Sequence, residues 1–182
     1  MPEIETTGDN AHRFAPAAPD EDAVYGACCP GWHTAARHGD ALSDWIEFME
    51  RRDVDRVCCL LPGRQLDASG GNVGRYRSRF GDDAVLHAPV PDHRLVDESL
   101  LEDEILPFLD ATAAADESVV VHCLAGIGRT GQVLAAWLAH DRGYGAERAI
   151  ATVKEMGRLP GDAVRAGNAT EEELHELIGG FS

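Results

Sequence analysis

Cys123 and Arg129 stand in one short stretch, VVVHCLAGIGRTG over residues 119–131, with five residues between them. A thiol and a guanidinium at that spacing can serve a single reaction, in which the sulfur attacks a phosphorus atom while forked N–H donors hold two of its oxygens. The same stretch spells G-x-G-x-x-G through Gly126, Gly128 and Gly131 after an apolar run, which is also the fingerprint of a dinucleotide-binding turn. The chain beyond Gly131 decides between the two. A dinucleotide-binding unit runs from its first helix into a second strand that ends near an acidic residue for the ribose. Here RTGQVLAAWLAHDRG leads through a turn at Gly143 to Gly145 into another helical pattern, GAERAIATVKEMG, and no strand follows it there.

The thiolate reading gives nearly every position of the stretch a task. The apolar run ESVVVHC predicts a strand buried on both faces that ends at Cys123. From Leu124 through Ala125, Gly126, Ile127 and Gly128 the backbone can curl its N–H groups around one point, and a helix opening at Arg129 aims its positive end at the same point. A thiol held there gives up its proton readily. Arg129 forks onto two phosphate oxygens, and Thr130 can donate its hydroxyl to the sulfur when it becomes the leaving group. Gly126 and Gly128 let the backbone approach an anion closely, whereas Ile127 has no polar role.

Other elements must present this loop. DALSDWIEFMERR places Leu42, Trp45, Ile46 and Met49 on one helical face, and VDRVCCLLP reads as a short buried strand stopped by Pro62. A Gly-rich, Arg-bearing stretch from Gly63 to Asp83, otherwise a solvated loop and helix, leads to a further strand, AVLHAPVP. DESLLEDEILPFLDATAAA reads as a helix with an acidic first turn, bent at Pro107. TEEELHELIGG is a last helix, with Thr170 and Glu173 in capping-box register. Strands alternating with helices predict an α/β fold with a central, mostly parallel sheet flanked by helices.

Composition narrows the partners. A chain of 182 residues with 44% hydrophobic content can bury one sizeable core. Its net charge of -16, with Lys154 the sole lysine, argues against nucleic acid and anionic membranes, which need a basic surface to displace counterions. Carboxylates in such excess also suit a cytosol of high salt, where screening removes their mutual repulsion. The acidic start MPEIETTGDN has no signal-peptide pattern and no apolar stretch is long enough for a membrane span, so the expected location is cytoplasmic. The five cysteines read as reduced thiols: Cys58 and Cys59 as small core residues, Cys28 and Cys29 without the spacing of a metal site.

HCLAGIGRTG resembles the H-C-x5-R-[ST]-G signature of the cysteine-dependent protein tyrosine phosphatase superfamily. Chain size, the APVPD segment and the helix pair in AAWLAHDRGYGAERAI resemble its compact dual-specificity branch over about residues 24–160. The wording A-G-I-G-R is closer to the large tyrosine-specific branch, yet a phosphotyrosine-recognition segment of the Lys-Asn-Arg-Tyr kind is missing. The resemblance implies a covalent cysteinyl-phosphate intermediate, no metal or other cofactor, and a supporting role for His122. It divides the chain into a disordered acidic tail over residues 1–12 and a single phosphatase domain over 13–182.

Such enzymes protonate the departing oxygen with an aspartate on a loop before the cysteine, since an alkoxide or phenolate leaves poorly unaided. Asp92, in HAPVPDHRLVDE, lies 31 positions before Cys123 (123 − 92) and follows Pro91. Asp97 competes for the role, its other use being to offset a helix dipole. Downstream, GRLPGDAVRAGNA stands where relatives carry a water-positioning Gln or Asn, and Asn168 is the candidate. Arg64, Arg75, Arg77 and Arg79 form a basic island that could face a substrate. The expected substrate is a phosphorylated protein or a small phosphomonoester. The alternatives are a phosphoinositide or nucleotide phosphatase, the lipid type carrying lysines where Leu124 and Ile127 stand, or a non-catalytic phosphate-binding module.

Overall fold

The computed structural model describes residues 12–32, 38–68 and 72–182. Apart from His12, the tail expected over residues 1–12 lies outside them. Among the described residues five strands form one sheet: β1 (Ala15–Pro16), β2 (Val24–Ala27), β3 (Arg56–Cys59), β4 (Val85–His87) and β5 (Val119–His122). Their order is β1-β2-β5-β3-β4, parallel throughout except for the antiparallel edge pair β1 and β2. β5 is central, and all four of its residues are buried. His122 is in register with Ala27 on one side and Cys59 on the other, so Cys123 emerges between two supporting strands.

Alternation along β5 separates two cores. Val119, Val121 and Cys123 face α5 (Leu106–Ala114), α6 (Gly128–Arg142), α7 (Ala146–Glu155) and α9 (Glu171–Gly179). Val120 faces α1 (His38–Arg51) and α3 (Asn72–Phe80), where Leu42, Trp45, Ile46 and Met49 are buried as their spacing predicts. The mostly parallel α/β fold is as expected, and the capping box of Thr170 and Glu173 is formed.

Three segments add to or differ from their sequence reading. The Gly-rich, Arg-bearing stretch contains α2 (Gly63–Ala68) and α3, the latter helical because Val73 and Tyr76 share a buried face between exposed arginines. Two arginines of the supposed substrate-facing island point to α1: Arg75 Nη2 donates to Ser43 Oγ at 3.3 Å, and Arg79 Nη2 pairs with Glu50 Oε2 at 2.6 Å. The helix expected to bend at Pro107 starts as α4 (Glu98–Leu100) and passes through a π-turn (Leu101–Ile105) into α5. Pro107 has no N–H to continue the regular ladder, and the wider turn immediately before it absorbs the mismatch. GRLPGDAVRAGNA contains one further turn, α8 (Asp162–Arg165).

At the N-terminal ends of the strands, opposite the Cys123 loop, a cavity of about 430 Å³ is lined by Asp22, Asp53, Asp55, Asp116 and Glu117 among others. Among the described residues no helix is long and apolar enough to cross a membrane.

Candidate active site

The loop after β5 is shaped by what binds its carbonyl groups. Leu124 O accepts from Cys29 N at 2.9 Å, Ala125 O from Arg13 Nη1 at 3.2 Å, Gly126 O from Arg158 Nη1 at 2.6 Å, and Ile127 O from Leu159 N at 3.1 Å. Four successive carbonyls are thus drawn outward, and the N–H groups of residues 124–127 have no partner among the described residues. They and the N-terminus of α6 are left for an anion. Gly126 is required twice over. Its φ of 74° is left-handed, and an added Cβ would lie 2.4 Å from Ala27 O. An added Cβ on Gly128 would meet Asp162 Cβ at 2.8 Å.

Cys123 is 2% exposed, and Thr130 Oγ1 donates to its Sγ at 3.1 Å. Arg129, 3% exposed, is braced by Nη1 to Gln65 Oε1 and to Val90 O, each at 2.9 Å, while Nη2 pairs with Asp92 Oδ1 at 3.1 Å. Asp92 Oδ2 also accepts from Gln65 Nε2 at 3.1 Å. The structure therefore brings Cys123, Arg129, Thr130 and Asp92 to one mouth. Asp97 is elsewhere: it caps α4, accepting from Ser99 N at 3.0 Å and Leu100 N at 3.2 Å. The Ser99 hydroxyl and these amides hold its carboxyl below the usual value. Asn168 does not turn its amide to the cradle either, because Nδ2 donates to His93 O at 2.8 Å.

His122 lies beneath Cys123, fully buried against Trp45 and Tyr76. Its Nδ1 lies 2.9 Å from Cys123 O and must donate to it, which leaves Nε2 to accept from Tyr76 Oη at 3.0 Å. Burial pushes its pKa down to about 4, so the ring is neutral and serves as a strut. The remaining cysteines are free and buried; burial raises Cys28 to about 11 and both Cys29 and Cys59 to about 12. Among the described residues no group of three or more His, Cys, Asp or Glu could hold a metal ion.

Sequence reasoning missed five contributors: Gln65, Tyr76, His93, Arg158 and Asp162. Tyr76 was discoverable from its spacing to Val73. Arg158 was not, since nothing in MGRLPG marks an arginine that is 2% exposed and feeds backbone carbonyls of Gly126, Gly26 and Arg13. Burial lowers its pKa to about 10, still leaving it charged at neutral pH.

Comparison with known proteins bears on this geometry. Residues 76–142 match the family described as polymorphic toxin system, DSP-PTPase phosphatase. Over 75 residues the chain is 35% identical to dual specificity protein phosphatase Mpk3 of Drosophila melanogaster, covering 41% of this chain and 18% of that protein. The dual specificity phosphatase H1 of Variola virus is 35% identical over 54 residues, 30% of this chain and 32% of that one, so the matches span a third or less of these relatives. Among solved structures, the active form of Tk-PTP superposes with a TM-score of 0.63 at 25% identity, over 88% of this chain and 92% of that one. Kinase associated phosphatase superposes at 0.68 with 18% identity, over 87% and 86%, a likeness of fold. With the thiol, the arginine and the carbonyl-clamped loop in these positions, the chain is similar to dual-specificity phosphatases of the cysteine-dependent protein tyrosine phosphatase superfamily.

Proposed function

We propose that the chain hydrolyses phosphomonoesters on a phosphorylated protein or a small molecule through a cysteinyl-phosphate intermediate. The observation that carries this reading is Thr130 Oγ1 donating to Cys123 Sγ at 3.1 Å, beside a loop whose carbonyls are all held outward. Substrate phosphate enters the ring of N–H groups from 124–128 and competes with Asp92 for Arg129 Nη2. Cys123 sulfur attacks phosphorus, the S–P bond forms as the P–O bond breaks, and the departing oxygen takes the proton of Asp92. Water then attacks phosphorus and gives a proton to Asp92 while the S–P bond breaks. Thr130 donates to the thiolate as it leaves.

His122 moves no proton in this scheme, and no cofactor is called for. The uncharged side chains of Leu124 and Ile127 give a second phosphate nothing to bind on the loop itself, which favours singly phosphorylated substrates over polyphosphorylated lipids. A working place in the cytoplasm, and a high-salt one, belongs to the same proposal. The test is rapid acid quenching during turnover of a phosphopeptide, followed by mass spectrometry of the peptide containing Cys123. A phosphorylated Cys123 is expected. Full turnover by Cys123→Ser, or no covalent phosphate under burst conditions, would overturn the mechanism.

A further inference from the structure

His93, the residue after Asp92, is built into the mouth in an unexpected way. Its backbone is left-handed, with φ of 57°, a conformation uncommon outside glycine although histidine, asparagine and aspartate take it more often than other residues. Three bonds hold it. His93 Nδ1 meets Asp162 Oδ2 at 2.7 Å, Asn168 Nδ2 donates to His93 O at 2.8 Å, and His93 N donates to Asp92 Oδ1 at 3.0 Å. Asp162, at the start of α8, is in turn the neighbour that an added Cβ on Gly128 would strike. A continuous line of contacts therefore runs from the acid's loop, through His93 and Asp162, to the last glycine of the phosphate cradle. Behind the tip the loop is fastened independently, by Arg129 Nη1 to Val90 O and by Gln132 to Arg94 O and Val96 N. At the tip, Asp92 is also met by Arg129 Nη2 and Gln65 Nε2, whereas His93 is met by Asp162 of α8 and by Asn168 just beyond it.

We propose that His93 is a positioning residue, held by Asp162 and Asn168, that keeps the Asp92 carboxyl over the Cys123–Arg129 cradle. Nothing in the geometry has His93 touching the reacting atoms; it acts through Asp92. This inference rests on the reading of Asp92 as the proton donor. The contact is also graded by pH. The Asp162 hydrogen bond first, and then the charge of Asp92, raise the His93 pKa, against partial desolvation and the charge of Arg129. A raised value means that the hold is at full strength below the ordinary histidine range of about 6.5 and is lost as pH rises through the raised value. The charged groups facing the ring are Asp162 on α8, Asp92 on its own loop and Arg129 on α6.

The test uses His93→Asn, which tolerates the left-handed backbone but cannot reach Asp162, and Asp162→Asn, which keeps the packing on Gly128 and weakens the pair. Both are assayed on a series of aryl phosphates beside Asp92→Asn. We expect His93→Asn to lower kcat by about tenfold for the poorest leaving group, short of the ~10² that a 1 Å misplacement costs. KM should change little, and the loss should shrink as the phenol becomes more acidic. The double variant should be no worse than either single one, and the wild-type advantage should diminish as pH is raised. A loss equal for all leaving groups, or additive effects of the two substitutions, would overturn the inference and mark the pair as structural. If Asp92→Asn itself shows no leaving-group dependence, the assignment of the acid fails, and the inference with it. If Asp92→Asn shows that dependence while His93→Asn matches wild type, only the inference fails.

Discussion

Cys123 and Arg129 are 2% and 3% exposed, whereas Asp92 and His93, which lie over them, expose 37% and 56% of their side chains. The cradle is clamped through four consecutive carbonyls by three separate parts of the chain, and its supporting His122 is buried and neutral. The tip that carries the proposed acid has few fastenings: Asp92 to Arg129 and Gln65, and the exposed His93 to Asp162 and Asn168. The contrast fits the two tasks proposed for these residues. A nucleophile and its anion site work by having their dipoles fixed before substrate arrives, since reorienting them during the reaction raises the barrier. An acid that covers the same site must give way for substrate to enter, so its fastening has to be weak enough to break.

Each side of that contrast can be attacked separately. Cys123→Ser should abolish turnover yet bind phosphate or tungstate nearly as well as wild type, measured by calorimetry, because the cradle is backbone and Arg129; loss of both would show that the thiolate itself organises the loop. Asp92→Asn should cost roughly 10² to 10⁴ in rate for poor leaving groups and progressively less for activated phenols. It should also flatten the basic limb of the pH–rate profile, while Asp97→Asn leaves that dependence intact and only loosens the start of α4. Opposite behaviour of the two would move the acid to Asp97.

Arg158→Gln breaks the clamp from behind. It strips donors from buried carbonyls of Gly126 and Gly26, at a cost of about 3 kcal/mol in denaturant unfolding. It should weaken phosphate binding as well, and unchanged binding in a folded variant would show that the loop keeps its shape unaided. His122 gives a subtler signature. Its pKa of about 4 lies below the unfolded value of about 6.5, so the unfolded chain binds the extra proton first and stability falls as pH drops across that window. Unfolding at pH 6.5 and pH 5 should show the decline, and His122→Gln should lessen it. Smallest of all, replacing Arg75 and Arg79 together should cost no more than about 1 kcal/mol and leave KM for a multiply charged substrate and for a small aryl phosphate equally unaffected, since both side chains are spent on α1. A selective rise in KM for the multiply charged substrate would restore them to the substrate's path.

The legible parts of the molecule were those governed by local pattern. The apolar run of β5, the face of α1 and the cap at Thr170 each declare themselves within a dozen residues, and the spacing of Cys123, Arg129 and Thr130 is itself local. The bounds of α3 were not legible because Gly74 and five polar residues dilute its period, although burial of Val73 and Tyr76 outweighs them. Gln65, Arg158 and Asp162 were unreadable for a different reason. Each works by meeting backbone or side chains 27 to 145 positions away, and no window of sequence contains both partners. Asn168 stood in the right place but is spent on His93 O, a use that only the left-handed tip explains.

The carbonyl clamp also sets when the site comes into being. Its donors arrive from Arg13, from Cys29 and from Arg158 and Leu159, so residues on both sides of Cys123 in the chain must be placed before the loop closes. Arg158 follows Cys123 by 35 residues (158 − 123), so a chain stalled in synthesis before it carries the thiol without that part of the clamp. The proposed phosphate site is therefore a property of the whole fold and not of the C-x5-R segment alone.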